Sequence, residues 1–399
     1  MDFRRAKRLT ELPPYLFIEI DKIKKAALAA GVDLIDLGVG DPDRPTPAPL
    51  LRALAQASRV PAYHQYPLGA GLPDFRQAAA RWFARRFHAR VDPATEVLAL
   101  IGSKEGIGHL PLAFVNPGDR VLCPDPAYPV YNAGTTFCSG LPVTMPLFAR
   151  NDFLPDLGAI PASALRRCRL MWLNYPNNPT AATAPLAFFK EAVRFCRRHG
   201  IILAHDMAYS EIYYDNQRPH SVLEVPGAKD VAIEFHSLSK TFNMTGWRVG
   251  FAVGRPELIS ALGAVKGNLD SGVVSAIQAM AIAALDAPPE LTRGIRETYR
   301  ARRDLFVPGL QRLGFDVRLP KASFYVWAKV PAGKTSSGFC RELLQSAGIV
   351  ATPGNGFGDA GEGYFRMTIT APEARLRLAL RRLETLVRST PVARPAAGR

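Results

Sequence analysis

Between residues 97 and 253 the chain alternates short apolar runs with stretches of helical period. The strand-like runs fall at 97–101, 120–123, 170–173, 201–204, 231–235 and 249–253, and the clearest helix between them covers 186–198. Continuous apolar runs this short, bounded by turn residues, are the pattern of strands buried on both faces. Their alternation with helices predicts an α/β fold whose sheet is mostly parallel and helix-covered. The flanks read differently. Up to residue 49 the chain is short elements and turns, including Leu34-Ile35-Asp36-Leu37 before Gly38-Val39-Gly40-Asp41-Pro42. Helical patterns then run to about residue 90, broken over 63–73. From Tyr299 an Arg-rich helix begins, followed by Phe324-Tyr325-Val326-Trp327, a helix over 338–347, a strand over 364–369 and a helix over 373–387. The expected organisation is an N-terminal arm over 1–49, a large domain over 50–298, a smaller α+β domain over 299–389 and a disordered tail over 390–399.

Composition narrows the class. The chain has 399 residues, 48% hydrophobic and 21% charged, which is ample for a packed core and excludes a low-complexity or disordered chain. No stretch reaches the roughly 18 apolar residues of a membrane span. The best candidate, 276–287, is interrupted by Gln278 and Asp286 and reads as a buried helix. The five cysteines, Cys123, Cys138, Cys168, Cys196 and Cys340, are odd in number and far apart, so neither a disulfide framework nor a Cys-based zinc site is expected, and no metal. A cytoplasmic location follows from that usage. Lys and Arg exceed Asp and Glu by 50 to 35, but the excess is Arg spread over many mixed-charge segments. That reads as solvated surface, and no nucleic-acid or membrane partner is expected.

The polar chemistry gathers at predicted strand ends, where an open parallel sheet binds its ligands. Ser103-Lys104-Glu105-Gly106 follows the first run, Pro124-Asp125-Pro126 and Tyr128 the second, and Asn174 to Pro179 the third. Asp206 follows the fourth and Ser237-Leu238-Ser239-Lys240-Thr241 the fifth, with Gly246-Trp247-Arg248 shortly after. A lysine amine whose pKa is lowered by burial or cationic neighbours forms a Schiff base with an aldehyde. Hydroxyls beside it and an arginine suit a phosphate, as do the free N–H groups where a helix opens at Ser103. Asp206 reads either as a turn or cap residue or as the counter-ion of a protonated ring nitrogen; Tyr128 reads either as core packing or as a stacking face. Taken singly, each residue has an ordinary structural explanation. Five strand ends in succession outline one site.

The order of landmarks resembles the class I/II pyridoxal-phosphate-dependent aminotransferases, the aspartate aminotransferase fold. The residues that carry the resemblance are Gly38-Val39-Gly40-Asp41-Pro42-Asp43, Tyr66-Pro67 with Gly69 and Gly71, and Ser103-Lys104-Glu105-Gly106. Pro126-Ala127-Tyr128-Pro129, Asn177-Asn178-Pro179-Thr180, Asp206 with Tyr209, Ser237 to Lys240, Gly246-Trp247-Arg248 and Arg366 complete it. The resemblance implies a large domain with a mostly parallel seven-stranded sheet, a smaller α+β domain built from both terminal segments, and pyridoxal 5'-phosphate as cofactor. It implies that Lys240 holds the cofactor and moves the substrate proton, Asp206 keeps the ring nitrogen protonated, and Asn178 and Tyr209 bond the ring oxygen. Tyr128 would stack on the ring, while Ser103, Lys104, Ser237, Ser239 and Arg248 cradle the phosphate. Arg366 would clamp the substrate carboxylate beside Gly40 and Asn178. Tyr66 and Asn268 would reach the partner's cofactor in a homodimer with shared sites. The substrates implied are an amino acid and a 2-oxo acid.

Within that family the phrases His64-Gln65-Tyr66-Pro67, Ala208-Tyr209-Ser210-Glu211-Ile212, Phe242-Asn243-Met244-Thr245 and Lys266-Gly267-Asn268-Leu269-Asp270 are similar to LL-diaminopimelate aminotransferases. These exchange an amino group between LL-diaminopimelate and 2-oxoglutarate on the route to lysine, and Tyr15 would match a substrate-contacting tyrosine. One departure stands out: where members often carry a glutamate after the Tyr-Pro pair, Leu68-Gly69-Ala70-Gly71 has no carboxylate. That leaves aspartate, alanine or aromatic donors as an alternative, with a carbon–sulfur lyase or a ligand-sensing regulator as remoter ones.

Overall fold

A computed structural model describes residues 3–13 and 16–389; the expected tail and Tyr15 lie outside them. The strands in chain order are β1 (Ile35–Asp36), β2 (Val97–Leu100), β3 (Arg120–Asp125), β4 (Leu141–Pro146), β5 (Cys168–Asn174), β6 (Ile202–Asp206), β7 (Ala232–Ser237) and β8 (Gly250–Gly254). They continue with β9 (Tyr325–Lys329), β10 (Ile349–Val350), β11 (Thr352–Pro353) and β12 (Tyr364–Thr368).

Seven strands form one sheet in the order β2-β8-β7-β6-β5-β3-β4. Strands β3 to β7 pair in parallel, and β8 runs antiparallel to both neighbours. Six of the seven coincide with the apolar runs. The seventh, β4, carries Pro142 and Pro146 and is largely exposed, so it has no apolar run to find. It lies at the sheet edge, where a missing N–H costs no ladder bond.

The strand period of two sorts side chains onto two cores. Val97, Ala99, Met171, Leu173 and Leu203 pack with the helices Pro73–Phe87, Leu186–His199 and Ser275–Leu285. Leu98, Leu100, Leu170, Trp172 and Ala204 face the opposite way, onto Ser103–Phe114, Val130–Phe137 and Pro256–Leu269. Burial on both faces is why these strands read as unbroken apolar runs.

A separate core joins the rest. The antiparallel sheet β11-β12-β9 packs against the helices Pro289–Arg312, Ser336–Ala347 and Glu373–Ser389 through Phe306, Leu310, Leu343, Phe365, Leu376 and Leu383. The N-terminal strand belongs with it, since Ile35 pairs with Ile349 in parallel. The buried Arg302 fork, 2.7 and 2.8 Å from the two Asp43 carboxylate oxygens, ties the segment after β1 to the same unit. The long helix starts ten residues before the expected Tyr299. Pro288-Pro289 reads as a break, yet proline at the first helical position loses only an N–H that would be unsatisfied anyway.

Candidate active site

The site is built on the carboxyl ends of the central strands. After β2 the chain turns through Gly102 at φ +73 into the helix Ser103–Phe114, which aims its free N–H groups into the cleft. A Cβ on Gly102 would lie 2.4 Å from Arg248 Nη2, so glycine is what lets the guanidinium reach this helix end. Arg248, itself at φ +51, donates to Thr245 O at 2.9 Å and to Ser239 Oγ at 3.4 Å. Beyond β3, Tyr128 presents its ring 5.8 Å from Lys104 Nζ. At the end of β5, Asn174 donates to Asp206 O (2.8 Å) and accepts from Asn178 N (2.8 Å), which sets the height of both neighbours.

Asp206 closes β6 and is buried. Its Oδ2 accepts from the Tyr131 hydroxyl at 2.7 Å, whereas Oδ1 has no hydrogen-bond partner among the described residues. Burial raises its pKa to about 6, opposed by the Tyr131 hydrogen bond and the nearby His205. β7 ends at Ser237, which accepts from Ser239 N (3.3 Å) and starts the short helix Leu238–Thr241 bearing Lys240. The partly buried Lys240 Nζ donates to Gly40 O at 2.9 Å. Burial lowers its pKa to about 8; Asp41 opposes the shift, and the positive Arg248 and Arg366 reinforce it.

The other unit supplies the remaining wall. Arg366 on β12 is fully buried and donates to Asn178 Oδ1 (2.7 Å) and Gly38 O (2.5 Å). Its guanidinium lies 4.3 Å from the Tyr325 ring centroid and 4.7 Å from that of Phe357, which holds the fork flat. Arginine only donates, so Asn178 must turn its oxygen to Arg366 and present its NH₂ elsewhere. Tyr209 and Tyr325 share a hydroxyl hydrogen bond of 2.7 Å. Gly40 lies against the same ring: a Cβ there would be 2.6 Å from Tyr325 Oη.

Gly40, Ser103, Lys104, Tyr128, Asn178, Asp206, Tyr209, Ser237, Ser239, Lys240, Arg248 and Arg366 thus line one cleft of about 280 Å³. Tyr66 and Asn268 do not: both are exposed and outside it, and Asn268 donates to Ala264 O within its own helix. A larger cleft of about 890 Å³, around Phe153, Arg218 and Trp327, contains none of the predicted site residues that are described. Sequence reasoning missed Tyr131 and Tyr325, and named Asn174 only as the start of the polar stretch after the third run. Tyr131 was within reach, lying one helical turn from Tyr128. Tyr325 was noted only within Phe324-Tyr325-Val326-Trp327, with no role attached.

The donor set fits pyridoxal phosphate. A buried carboxylate oxygen without a partner among the described residues suits a protonated ring nitrogen, an amine of lowered pKa suits the aldehyde, and Ser103, Ser237, Ser239 and Arg248 suit a phosphate. Comparison with known proteins agrees. The model of the family Aminotransferase class I and II matches residues 32–383. The LL-diaminopimelate aminotransferase of Nitratidesulfovibrio vulgaris is 54% identical over 385 residues, 96% of this chain and 99% of that one. That of Aquifex aeolicus is 53% identical over 384 residues, 96% and 99% of the two chains. Among solved structures, substrate-bound BacF from Bacillus subtilis superposes with a TM-score of 0.94 at 36% identity, covering 97% of this chain and 98% of its own.

Proposed function

The chain belongs to the class I and II aminotransferases and is a pyridoxal-phosphate-dependent enzyme; from that premise we propose that it transfers the amino group of LL-diaminopimelate to 2-oxoglutarate, in the lysine pathway. The observation that carries the donor is identity of 51–54% over nearly the whole chain to enzymes of that name. When bound, pyridoxal phosphate supplies an electron sink for the charge left on the substrate α-carbon as its proton departs.

The chain's own residues do the rest. Lys240 Nζ, whose pKa is lowered to about 8 by burial, would hold the cofactor's aldehyde carbon and, as a free amine, would be placed to carry the substrate's α-proton. Asp206 Oδ1 would keep the proton on the ring nitrogen, with Tyr131 holding the other oxygen. Ser103, Lys104, Ser237, Ser239 and Arg248 would bind the phosphate, Tyr128 would cover the ring, and the Asn178 NH₂ and Tyr209 hydroxyl would meet the ring oxygen. The Arg366 fork binds the α-carboxylate bidentately beside Gly40.

The same reading makes the enzyme a cytoplasmic homodimer. Tyr66 is 81% and Leu68 74% exposed on one loop, and Leu269, 58% exposed, ends the helix Pro256–Leu269 just before the segment whose Gly272 packs against Pro67. Apolar side chains so exposed suit a subunit interface, and burial there brings Tyr66 and Asn268 toward the partner's site. The five cysteines are free, and among the described residues no helix is long and apolar enough to cross a membrane.

The test is a single turnover without acceptor. The yellow protein is mixed separately with LL-diaminopimelate, glutamate, aspartate, alanine and phenylalanine. Loss of the visible band with diaminopimelate and glutamate alone supports the proposal. Faster loss with aspartate, alanine or phenylalanine keeps the aminotransferase but rejects the donor. The loop Leu68-Gly69-Ala70-Gly71 offers no carboxylate for a distal ammonium, a charge-assisted hydrogen bond worth about 1.5–3 kcal/mol, and the test therefore includes the donors without that ammonium. Sedimentation of the purified protein tests the dimer; a monomer at micromolar concentration rejects it.

A further inference from the structure

Between Lys240 and Arg248 the chain passes twice through the left-handed region without a glycine. Asn243 has φ +53 and Arg248 φ +51. Side chains enter that region at a cost, asparagine more readily than arginine. Two such residues so close together persist only where their surroundings fix them. Part of the fixing is local. Met244 N donates to Ser239 O (3.0 Å), Trp247 N donates to Met244 O (3.2 Å), and the Arg248 guanidinium turns back to Thr245 O. The Asn243 side chain adds nothing through its oxygen, which is buried and has no partner among the described residues.

The remaining hold comes from the N-terminal part of the chain. Thr46 is buried; its Oγ1 donates to Asn243 O at 2.6 Å and accepts from Trp247 Nε1 at 3.0 Å. A hydroxyl has one proton to give and lone pairs to accept with, and both capacities are used here. The groups it joins are the carbonyl of one left-handed residue and the side chain immediately before the other. Thr46 stands 197 residues from Asn243 and 201 from Trp247. It closes the segment that leaves Gly40 beside Lys240 and enters the helix Ala48–Ala57.

We propose that Thr46 is the positioning residue of the phosphate grip: by fastening Asn243 and Trp247 it keeps Arg248 in the backbone conformation from which its guanidinium reaches Gly102 and Ser239. Without the hydroxyl, Trp247 Nε1 loses its acceptor and the turn 243–247 is free to relax, which withdraws the guanidinium from the opening of the helix at Ser103. Lys240 does not depend on this contact. It sits in the turn Leu238–Thr241, which Ser237 caps and Phe242 N closes onto Leu238 O at 3.1 Å. The effect of Thr46 on the cofactor rests on Arg248 being a phosphate ligand.

The phosphate end and the ring end are separated by measuring two affinities on the full-length protein freed of cofactor. One is for pyridoxal phosphate and the other for pyridoxal, which lacks the phosphate, both followed by the visible band. Thr46→Val keeps the shape and removes the hydroxyl. It is expected to weaken pyridoxal phosphate binding by about tenfold, the order of a lost hydrogen bond that leaves its partner unsatisfied, and to bind pyridoxal as wild type does. Thr46→Ser restores the hydroxyl and is expected to bind both as wild type does. Undiminished pyridoxal phosphate affinity in Thr46→Val overturns the proposal. So does an equal loss for both compounds, which is what a general loosening of the fold would give. Should Thr46→Val not fold, Trp247→Phe, which removes the indole N–H, is expected to lose the preference for the phosphate compound in the same direction; an unchanged preference there overturns the proposal. Arg248→Ala is measured alongside. If it loses that preference while Thr46→Val keeps it, the role of Thr46 fails and the phosphate role of Arg248 stands. If Arg248→Ala itself keeps the wild-type preference, Arg248 is not a phosphate ligand and both roles fall.

Discussion

The lowered pKa of Lys240 has a direct kinetic consequence. The ordinary lysine value of 10.5 falls to about 8, chiefly through burial beside the positive Arg248 and Arg366. That drop corresponds to a preference for the neutral amine of roughly 3 kcal/mol. At about pH 7.5 some quarter of the molecules carry a nucleophilic amine, against about one in a thousand for an exposed lysine. Cofactor capture by the free protein should therefore rise with pH to a plateau, with its midpoint near 8, and at neutral pH run roughly two-hundredfold faster than an unperturbed amine allows. The assay is stopped-flow mixing of cofactor-free protein with pyridoxal phosphate, following the visible band between about pH 6.5 and 10. A midpoint at 10 or above, or a rate independent of pH, refutes the reasoning. The same shift has a stability signature. Between about pH 8 and 10.5 the unfolded chain binds a proton at this lysine that the folded one does not, so the cofactor-free protein gains stability as pH rises through that window.

Asp206→Asn keeps an acceptor for Tyr131 but removes a buried charge whose pKa is raised to about 6, so the cofactor-free variant should be more stable than wild type at neutral pH, by up to about 3 kcal/mol. Wild type alone should lose stability as pH rises from about 4 to 6, and equal melting temperatures at neutral pH would contradict this. The same variant should retain cofactor weakly and turn over very slowly. Arg366→Lys replaces a flat fork between two aromatic rings by a point charge, and should raise KM for every amino donor by about ten- to a hundredfold; unchanged steady-state kinetics would remove Arg366 from the site. Gly102→Ala adds a methyl at φ +73 where Arg248 Nη2 is 2.4 Å away, so equilibrium titration should show weaker cofactor binding with the fold intact by circular dichroism. Affinity equal to wild type would mean that Arg248 is not held there.

The strands that carry the chemistry were legible because each is buried on both faces, and burial on both faces writes itself as an unbroken apolar run. Edge strand β4 was not, because its outward residues and two prolines answer to solvent. Lys240, Asp206, Asn178 and Arg366 were found as motifs in order along the chain. Their partners were not: Tyr131 joins Asp206 across 75 residues, and Arg366 joins Asn178 across 188.

What the sequence determined by itself is therefore local: which segments become strands and helices, where glycine is needed, and which reactive side chains stand at strand ends. Tertiary structure decided everything that depends on distance between remote segments and on exclusion of water. It turned an ordinary lysine into an amine of pKa about 8 and an ordinary aspartate into one near 6, and it set Gly40 and Arg366 against the sheet of the other unit. Those properties arise from desolvation and from neighbours on other strands, and neither is encoded in any window of adjacent residues.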